Sequence, residues 1–285
     1  MLDEEIQTVS NLTGVAPEKI SFSDHGFLSR GYIIDDGRIV FKFKKYPEIT
    51  YKNEIKMLNF VNSLNLNVNL QKVGWVSEDD SYLGIYGVLG KSLKFLDLTD
   101  TQRKSYGQQI GLFLKQLHAA NCPEATKLSV SEEIKAWQER FERSTDVLTR
   151  YFNQAEIAKI RTFINSTAPE QLLSLGEKMV FSHGDLGLGN IFVDSTGKIG
   201  IIDFSESVYL DEAADFMDME DDELCLEVLN SYGADDLLRQ KVAIRRIVLP
   251  MFIIGTYRDR PEAQIQVFVD KIRQWLDGNI PARIL

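Results

Sequence analysis

The sequence predicts an α+β protein of two lobes, with a small antiparallel sheet in the N-terminal lobe and mostly helices in the C-terminal lobe. The first ninety residues contain short apolar runs separated by turn residues, a pattern typical of strands joined by tight turns. Later segments carry apolar residues at helical spacing. A chain of 285 residues can form two such lobes. We place the N-terminal lobe at residues 1–89 and the C-terminal lobe at residues 90–285.

The N-terminal elements begin with a predicted hairpin. Residues 20–22 and 32–34 are short apolar strand candidates, and the turn at 35–38 leads into a strand over 39–43. That strand carries Lys42 within an apolar run. Because a buried charge is costly without a partner, we expect an acidic side chain near it.

A helix over residues 53–61 supplies the candidate partner. Apolar residues recur there at helical spacing, and Glu54 lies near the helix start. An ion pair between Lys42 and Glu54 is one interpretation. The alternative is that both are ordinary surface charges.

The segment 21–32 precedes the Lys42 strand and is a candidate for a turn over phosphate groups. It contains Gly26 and Gly31 but lacks the full Gly-x-Gly-x-x-Gly pattern. Ser29 is a candidate donor to phosphate through its hydroxyl or its backbone N–H. On its own this signal is weak.

The C-terminal elements are predicted to be scaffold helices around a different kind of segment. Two sets of apolar residues follow helical spacing: Ile110, Phe113, Leu114 and Leu117, and less regularly Ile134, Trp137, Phe141 and Leu148. His118 ends the first set, where a histidine is more often part of the core than a ligand.

Residues 182–191 carry most of the functional information. Three glycines mark an irregular loop that contains Asp185, and two short buried strands follow, at 191–193 and 199–202. A hairpin of these strands brings Asn190, just before the first, and Asp203, just after the second, to the same end.

An acid, an amide and a second acid so arranged match the requirements of phosphoryl transfer from a nucleotide. Asn190 and Asp203 offer the oxygen ligands that Mg²⁺ prefers. Asp185 lies close to them and is placed to accept a hydrogen bond from a substrate hydroxyl. The alternative is a glycine-rich surface loop beside a hairpin, with no catalytic role. A lone His-Gly-Asp triplet would favour that alternative, but the additional placement of Asn190 and Asp203 favours the catalytic interpretation.

The distribution of charge points to the kind of partner. The net charge of −10 argues against nucleic acid. Residues 206–223 contain nine acids and no Lys or Arg. This run is either a solvated acidic surface or a patch that attracts a cationic substrate, and its place directly after Asp203 favours the second.

The composition is that of a globular protein, with 44% hydrophobic and 26% charged residues. The acidic start of the chain does not resemble a signal peptide. The longest apolar run, at 247–255, is interrupted by Pro250 and is too short to span a bilayer. Cys122 and Cys225 are isolated and do not form a metal or disulfide pattern. We therefore expect a cytoplasmic protein with no membrane partner.

Taken together, these motifs resemble the aminoglycoside phosphotransferase family, which has a protein-kinase-like fold. The resemblance extends from Gly26 through Lys42 and Glu54 to the segments around Asp185 and Asp203. The tract at 210–223 is similar to that of the enzymes that phosphorylate the 2″ hydroxyl. Ser205 departs from the glycine that many relatives carry after Asp-Phe.

The resemblance implies roles for individual residues. Asp185 would be the catalytic base, with Asn190 and Asp203 as Mg²⁺ ligands. Lys42, steadied by Glu54, would contact the phosphates of ATP or GTP, and His183 would be structural. The backbone at the junction of the lobes would meet the purine, and part of the acidic tract would face substrate ammonium groups. The junction residues are Gly87, Val88 and Leu89, and the acids are Asp215, Glu220, Asp221, Asp222 and Glu223.

The expected function is a monomeric kinase that phosphorylates a hydroxyl of a cationic small molecule, first of all an aminoglycoside antibiotic, which would confer resistance. Choline, a macrolide or another metabolite is the alternative substrate. A catalytically silent nucleotide-binding protein is a further alternative, which the intact set of Asp185, Asn190, Asp203 and Lys42 disfavours.

Overall fold

The N-terminal lobe is a sheet with helices on both sides. The structure is a computed structural model that describes residues 2–24, 26 and 28–279. The elements of this lobe are α1 (Leu2–Thr13), β1 (Ser21–Ser23), β2 (Ser29–Ile34), β3 (Ile39–Lys44), α2 (Lys52–Ser63), β4 (Asn69–Leu70), β5 (Lys72–Val76) and β6 (Tyr82–Tyr86). Five of the strands form an antiparallel sheet in the order β1–β2–β3–β6–β5. The predicted hairpin, the Lys42 strand and the helix after it are therefore confirmed.

Strand β3 divides its side chains between the two faces of this sheet, as the period of two requires. Phe41 and Phe43 pack with Val9 of α1 and with Tyr32 of β2 in a small core. Lys42 points the other way, toward α2. The alternation that buries the two aromatic rings thus directs the lysine to the side where the lobes meet.

The C-terminal lobe is mostly helical. Its helices are α3 (Asp100–His118), α4 (Val130–Leu148), α5 (Gln154–Thr162), α6 (Ala168–Ser174), α7 (Asp222–Tyr232), α8 (Asp236–Ile253) and α9 (Glu262–Leu276). Its strands are β7 (Lys91–Ser92), β8 (Met179–Ser182), β9 (Ile191–Val193), β10 (Ile199–Ile201) and β11 (Val208–Asp211). Helices α3, α4 and α5 each begin with a capping box, which satisfies the first free N–H groups. No helix in the described part of the chain is long and apolar enough to cross a membrane.

Two apolar cores support this lobe. One lies among α4, α5, α6, α8 and α9. The other contains Ile110 and Phe113 of α3 and extends through the catalytic segment to Met57 of α2 and Ile85 of β6. The second core therefore crosses from one lobe to the other.

Strand β4 is an element that the sequence pattern did not predict. It belongs to the N-terminal stretch of the chain but pairs in parallel with β10, Asn69 opposite Gly200, in a four-stranded sheet ordered β4–β10–β9–β7. Backbone hydrogen bonds thus join the lobes beside the strand that leads to Asp203.

Candidate active site

The loop between β8 and β9 holds Asp185 in a fixed position. Asn190 donates from Nδ2 to the carbonyl oxygen of Asp185 at 2.8 Å and to its Oδ2 at 2.9 Å. Gly184 has a φ of +87°, and a Cβ there would lie 2.3 Å from the carbonyl oxygen of Glu206. Only glycine satisfies both constraints. The loop geometry is therefore set by contacts within the protein.

The β9–β10 hairpin brings Asn190 and Asp203 to one end, as predicted. Ile191 and Ile201 are paired, and the N–H of Ile202 donates to the carbonyl oxygen of Asn190 at 3.0 Å. Asp203 has a φ of +65°, a strained value for a residue with a side chain. Its N–H donates to Oε1 of Gln71 at 2.9 Å. Gln71 is a supporting residue that the sequence pattern did not reveal.

Lys42 reaches both lobes. Its Nζ lies 2.7 Å from Oε1 of Glu54 and 3.4 Å from Oδ1 of Asp203. Burial alone would lower the pKa of Lys42, but the charges of Glu54 and Asp203 outweigh it and raise the pKa. The ammonium group is therefore kept charged, and the predicted Lys42–Glu54 pair is confirmed.

The donor set fits a hard cation. Oδ1 of Asp203 is buried and has no hydrogen-bond partner among the described residues, and Asn190 uses its Nδ2 toward Asp185, which leaves Oδ1 as its acceptor. Burial opposes ionisation of Asp203, yet Lys42 and its neighbours lower its pKa. The described residues contain no cluster of three His, Cys, Asp or Glu that could hold a metal by itself. Two protein oxygens suit Mg²⁺ completed by phosphate and water.

Asp185 has the electrostatic setting of a base. Burial, with the charges of Asp218 and Asp203, raises the pKa of its carboxyl group to about 7. A catalytic group is most effective when its pKa lies near the operating pH. Asp185 can therefore accept a proton or orient a hydroxyl under ordinary conditions.

The expectation that Asp215 faces substrate is wrong. Its side chain is 0% exposed, and it accepts hydrogen bonds from the N–H groups of His183 and Gly184 at 2.9 and 2.8 Å. Its Oδ2 lies 3.0 Å from Nε2 of His118, whose Nδ1 lies 2.9 Å from the hydroxyl of Tyr232. Asp215 supports the catalytic loop from behind, and His118 is a buried partner of that support. The ring of His183 is buried against the carbonyl oxygen of Ile202 at 3.0 Å, as a structural role requires.

The rest of the acidic tract is also divided. Asp221 caps α7 and pairs with Arg103 at 2.9 Å, and Asp222 pairs with Arg246. Glu220 and Glu223 are exposed. The idea of a uniform acidic patch is therefore corrected, because several carboxylates of residues 206–223 are held in ion pairs with Lys or Arg: Asp211, Glu212, Asp221 and Asp222.

Asp218, which the sequence pattern did not single out, faces the catalytic loop. A Cβ at Gly187 would lie 2.6 Å from Oδ2 of Asp218. Burial, followed by the charge of Glu220, raises the pKa of Asp218 to about 6. Asp218 and Glu220 also line a cavity between the acidic tract and helices α8 and α9. Asp218 connects this cavity with the catalytic loop, because its charge also raises the pKa of Asp185.

One backbone group at the junction of the lobes is already used within the protein. The N–H of Gly87 donates to the carbonyl oxygen of Arg38 at 2.9 Å, so it is not free for a ligand. Val88 and Leu89 have no such backbone partner among the described residues. Val88 is buried and Leu89 is exposed, and the backbone groups of these two, with the carbonyl oxygen of Gly87, remain the candidates for the purine.

The predicted phosphate turn is described only in part, because His25 and Phe27 lie outside the described residues. The carbonyl oxygen of Gly26 accepts a hydrogen bond from Nζ of Lys45 at 2.6 Å. The hydroxyl of Ser29 lies 2.9 Å from that of Tyr51. Ser29 is thus already bonded through its side chain.

Close packing at the lobe junction leads to a testable expectation. A Cβ at Gly200 would lie 2.1 Å from Cγ1 of Val88. We expect Gly200→Ala to lower the free energy of unfolding by about 1–3 kcal/mol, as overpacking does. Val88→Ala in the same chain should recover most of the loss, because it removes the clashing methyl group. Urea denaturation of the two single variants and the double variant measures this coupling, and additive losses would contradict it.

Comparison with known proteins agrees with this geometry. A model of the phosphotransferase enzyme family matches residues 19–243. The protein is a phosphotransferase, as the family match shows, and its fold is protein-kinase-like. The chain belongs to the phosphotransferase enzyme family.

Solved structures share the fold over nearly the whole chain. The GDP and kanamycin complex of APH(2″)-IIIa has a TM-score of 0.75 at 16% identity and covers 97% of this chain and 98% of its own. The gentamicin complex of APH(2″)-IIa has a TM-score of 0.69 at 15% identity and covers 95% of each chain. Macrolide 2′-phosphotransferase MphH from Brachybacterium faecium has a TM-score of 0.62 at 14% identity, with coverage of 94% and 98%.

Proposed function

We propose that this protein transfers the γ-phosphate of ATP or GTP to a hydroxyl group of a cationic small molecule, as a monomer and with Mg²⁺. Aminoglycosides are the substrates that the family resemblance implies, and macrolides and choline are tested beside them. The observation that carries the proposal is the convergence of Lys42, Glu54 and Asp203 within 3.4 Å contacts, beside Asp185 and Asn190. Loss of one of these groups is what a silent relative would be expected to show.

The proposed mechanism uses positioning and electrostatics. Asp185 accepts a hydrogen bond from the acceptor hydroxyl and directs its oxygen toward the phosphorus, while Asn190 holds the Asp185 carboxylate at 2.9 Å. Lys42 offsets charge on the phosphates and is kept in place by Glu54. A bound Mg²⁺, held by Asn190 and Asp203, would supply charge neutralisation at the phosphates. Preorganised charges of this kind are usually the main source of rate enhancement in phosphoryl transfer.

The acidic surroundings of Asp185 support a cationic acceptor. Asp218, Asp203 and Glu206 act on its titration through their charges, and Glu220 is close enough to Asp218 to raise its pKa. An ammonium group near the acceptor hydroxyl would be attracted to this region. Choline and macrolides, like aminoglycosides, carry both a cationic nitrogen and a hydroxyl group, so they remain alternative substrates.

A coupled assay of nucleotide turnover tests the proposal. We expect ATP or GTP consumption to depend on an acceptor when kanamycin, gentamicin, a macrolide and choline are compared. EDTA should reduce the rate by at least about 100-fold, because the donor is then bound without its metal, and excess Mg²⁺ should restore it. A rate of nucleotide consumption that is the same with and without every acceptor would reject the proposed phosphorylation of a cationic small molecule. A rate that EDTA does not reduce would reject the assignment of Asn190 and Asp203 as metal ligands.

A further inference from the structure

The cavity beside Asp218 has a composition that narrows the choice of acceptor. Its volume is about 120 Å³, and it opens to solvent, where a larger molecule can extend beyond it. Half of its lining residues are apolar, among them Ile247, Leu249, Pro250 and Trp275. A fully polar polyamine would leave this apolar surface without a partner. The inference that follows depends on the proposed function, because it treats the cavity as the acceptor site.

The charge of the cavity is smaller than the acidic tract suggests. Its lining contains the acids Asp218, Glu220 and Asp222 and the bases Arg246 and Lys271, which is a net charge of −1. Arg246 is occupied by Asp222 and by the carbonyl oxygen of Met219. The cavity can therefore balance about one ammonium group, and a molecule with several would meet uncompensated repulsion from Lys271.

Lys271 differs from Arg246 because it has no ion pair or hydrogen bond among the described residues. It lies on α9 and lines the cavity. Burial lowers its pKa, while Glu220 and Asp218 act in the opposite direction from a distance. Its ammonium nitrogen is not among the buried polar atoms that lack a partner in the described part of the chain, so it is accessible to water and to a bound molecule. An oxygen acceptor on a molecule in the cavity can therefore accept a hydrogen bond from it.

We propose that Lys271 is a specificity-determining residue of the acceptor cavity. Its ammonium group binds an oxygen acceptor on the apolar body of the substrate, while the carboxylates of Asp218 and Glu220 receive a single ammonium group near the reacting hydroxyl. The favoured substrate class is an amphiphilic alcohol with one cationic group, and polycations are disfavoured by Lys271 itself.

Calorimetric binding with ADP and Mg²⁺ present tests this assignment with two probes. Erythromycin has one tertiary ammonium group on an apolar ring rich in oxygen acceptors, and kanamycin has several ammonium groups on a polar frame. We expect the wild type to bind erythromycin at least tenfold more tightly. Lys271→Glu should weaken erythromycin at least tenfold and strengthen kanamycin at least tenfold. Lys271→Met should shift both dissociation constants in the same directions but by less. It keeps the test valid if the charge-reversed variant Lys271→Glu fails to fold.

The controls separate specificity from general effects. Lys271→Arg should stay close to the wild type, and Lys104→Glu, at an exposed position of α3, should shift each dissociation constant less than threefold. Equal shifts for both probes in Lys271→Glu, or no binding of erythromycin to the wild type, would overturn the proposal. Turnover is measured in parallel. A switch in binding without turnover of any acceptor would reject the proposed function and leave the role of Lys271 standing.

Discussion

Replacement of Asp185 by Asn is expected to lower kcat by about 10³-fold, within the range usual for loss of a general base. The substituted amide can still accept the hydrogen bond that Asn190 now donates at 2.9 Å, so the loop should keep its shape. What is lost is the charge that orients the acceptor hydroxyl. Nucleotide affinity should change less than threefold, because Asp185 is not among the groups that hold the donor. Single-turnover kinetics and calorimetry with ADP measure the two effects separately.

Asp259→Asn serves as the matched control for this experiment. Asp259 is exposed and lies in the turn before α9, so the same change of charge should leave kcat within twofold. A rate for Asp185→Asn within tenfold of the wild type would remove Asp185 from the role of base. A large loss of nucleotide affinity would instead place it among the donor-binding groups.

Replacement of Asp215 by Ala is expected to lower the free energy of unfolding by about 3–5 kcal/mol, the cost typical of breaking a buried ion pair. The variant leaves the N–H groups of His183 and Gly184 and the ring of His118 without their acceptor. Each buried donor without a partner carries its own penalty. Because the same groups form the start of the catalytic loop, kcat should fall as well. Urea denaturation and steady-state kinetics measure both.

The pH dependence of this stabilisation has a definite sign. Burial would raise the pKa of Asp215, but the hydrogen bond and charge of His118, with His183 and the N–H of Gly184, lower it below its ordinary value of 3.8. A carboxyl with a depressed pKa in the folded state stabilises the protein above its unfolded pKa and loses that contribution as the pH falls through the folded pKa. The difference in unfolding free energy between the wild type and Asp215→Asn should therefore be constant near neutrality and shrink below about pH 4.

Asp218→Ala is the control for the Asp215 experiments because it lies in the same acidic tract but faces the cavity. It should cost less than about 1 kcal/mol of stability, because burial raises the pKa of Asp218 in the folded state and its charge therefore does not stabilise the fold, while cationic ligands should bind more weakly. Equal destabilisation by the two variants would mean that Asp215 gives the catalytic loop no special support.

The convergence of the candidate site residues could be predicted from the sequence because they are close in the chain or follow from periodicity. Asp185 and Asn190 share one loop, and a short hairpin carries the chain from Asn190 to Asp203. Lys42 is recognisable as a charge within an apolar strand. Glu54 lies in the first turn of the helix that follows this strand, within reach of Lys42.

Other features depend on contacts that local spacing does not contain. Whether an acid in the tract faces solvent or the interior is decided by partners such as His118, 97 residues away from Asp215. Gln71 supports Asp203 across 132 residues. The cavity exists because α8 and α9 pack against the acidic tract, and neither helix carries a motif that reveals it.

Two features connect the lobes and bear on how the chain folds. They are the pairing of β4 with β10 and the shared core that contains Met57, Ile85 and Phe113. A fragment that ended at residue 89 would expose its part of this core to water and would leave β4 without its neighbouring strand. We therefore expect the two lobes to fold cooperatively, because they share this core and this strand pairing. The smallest unit that can be stable on its own is therefore one that contains both.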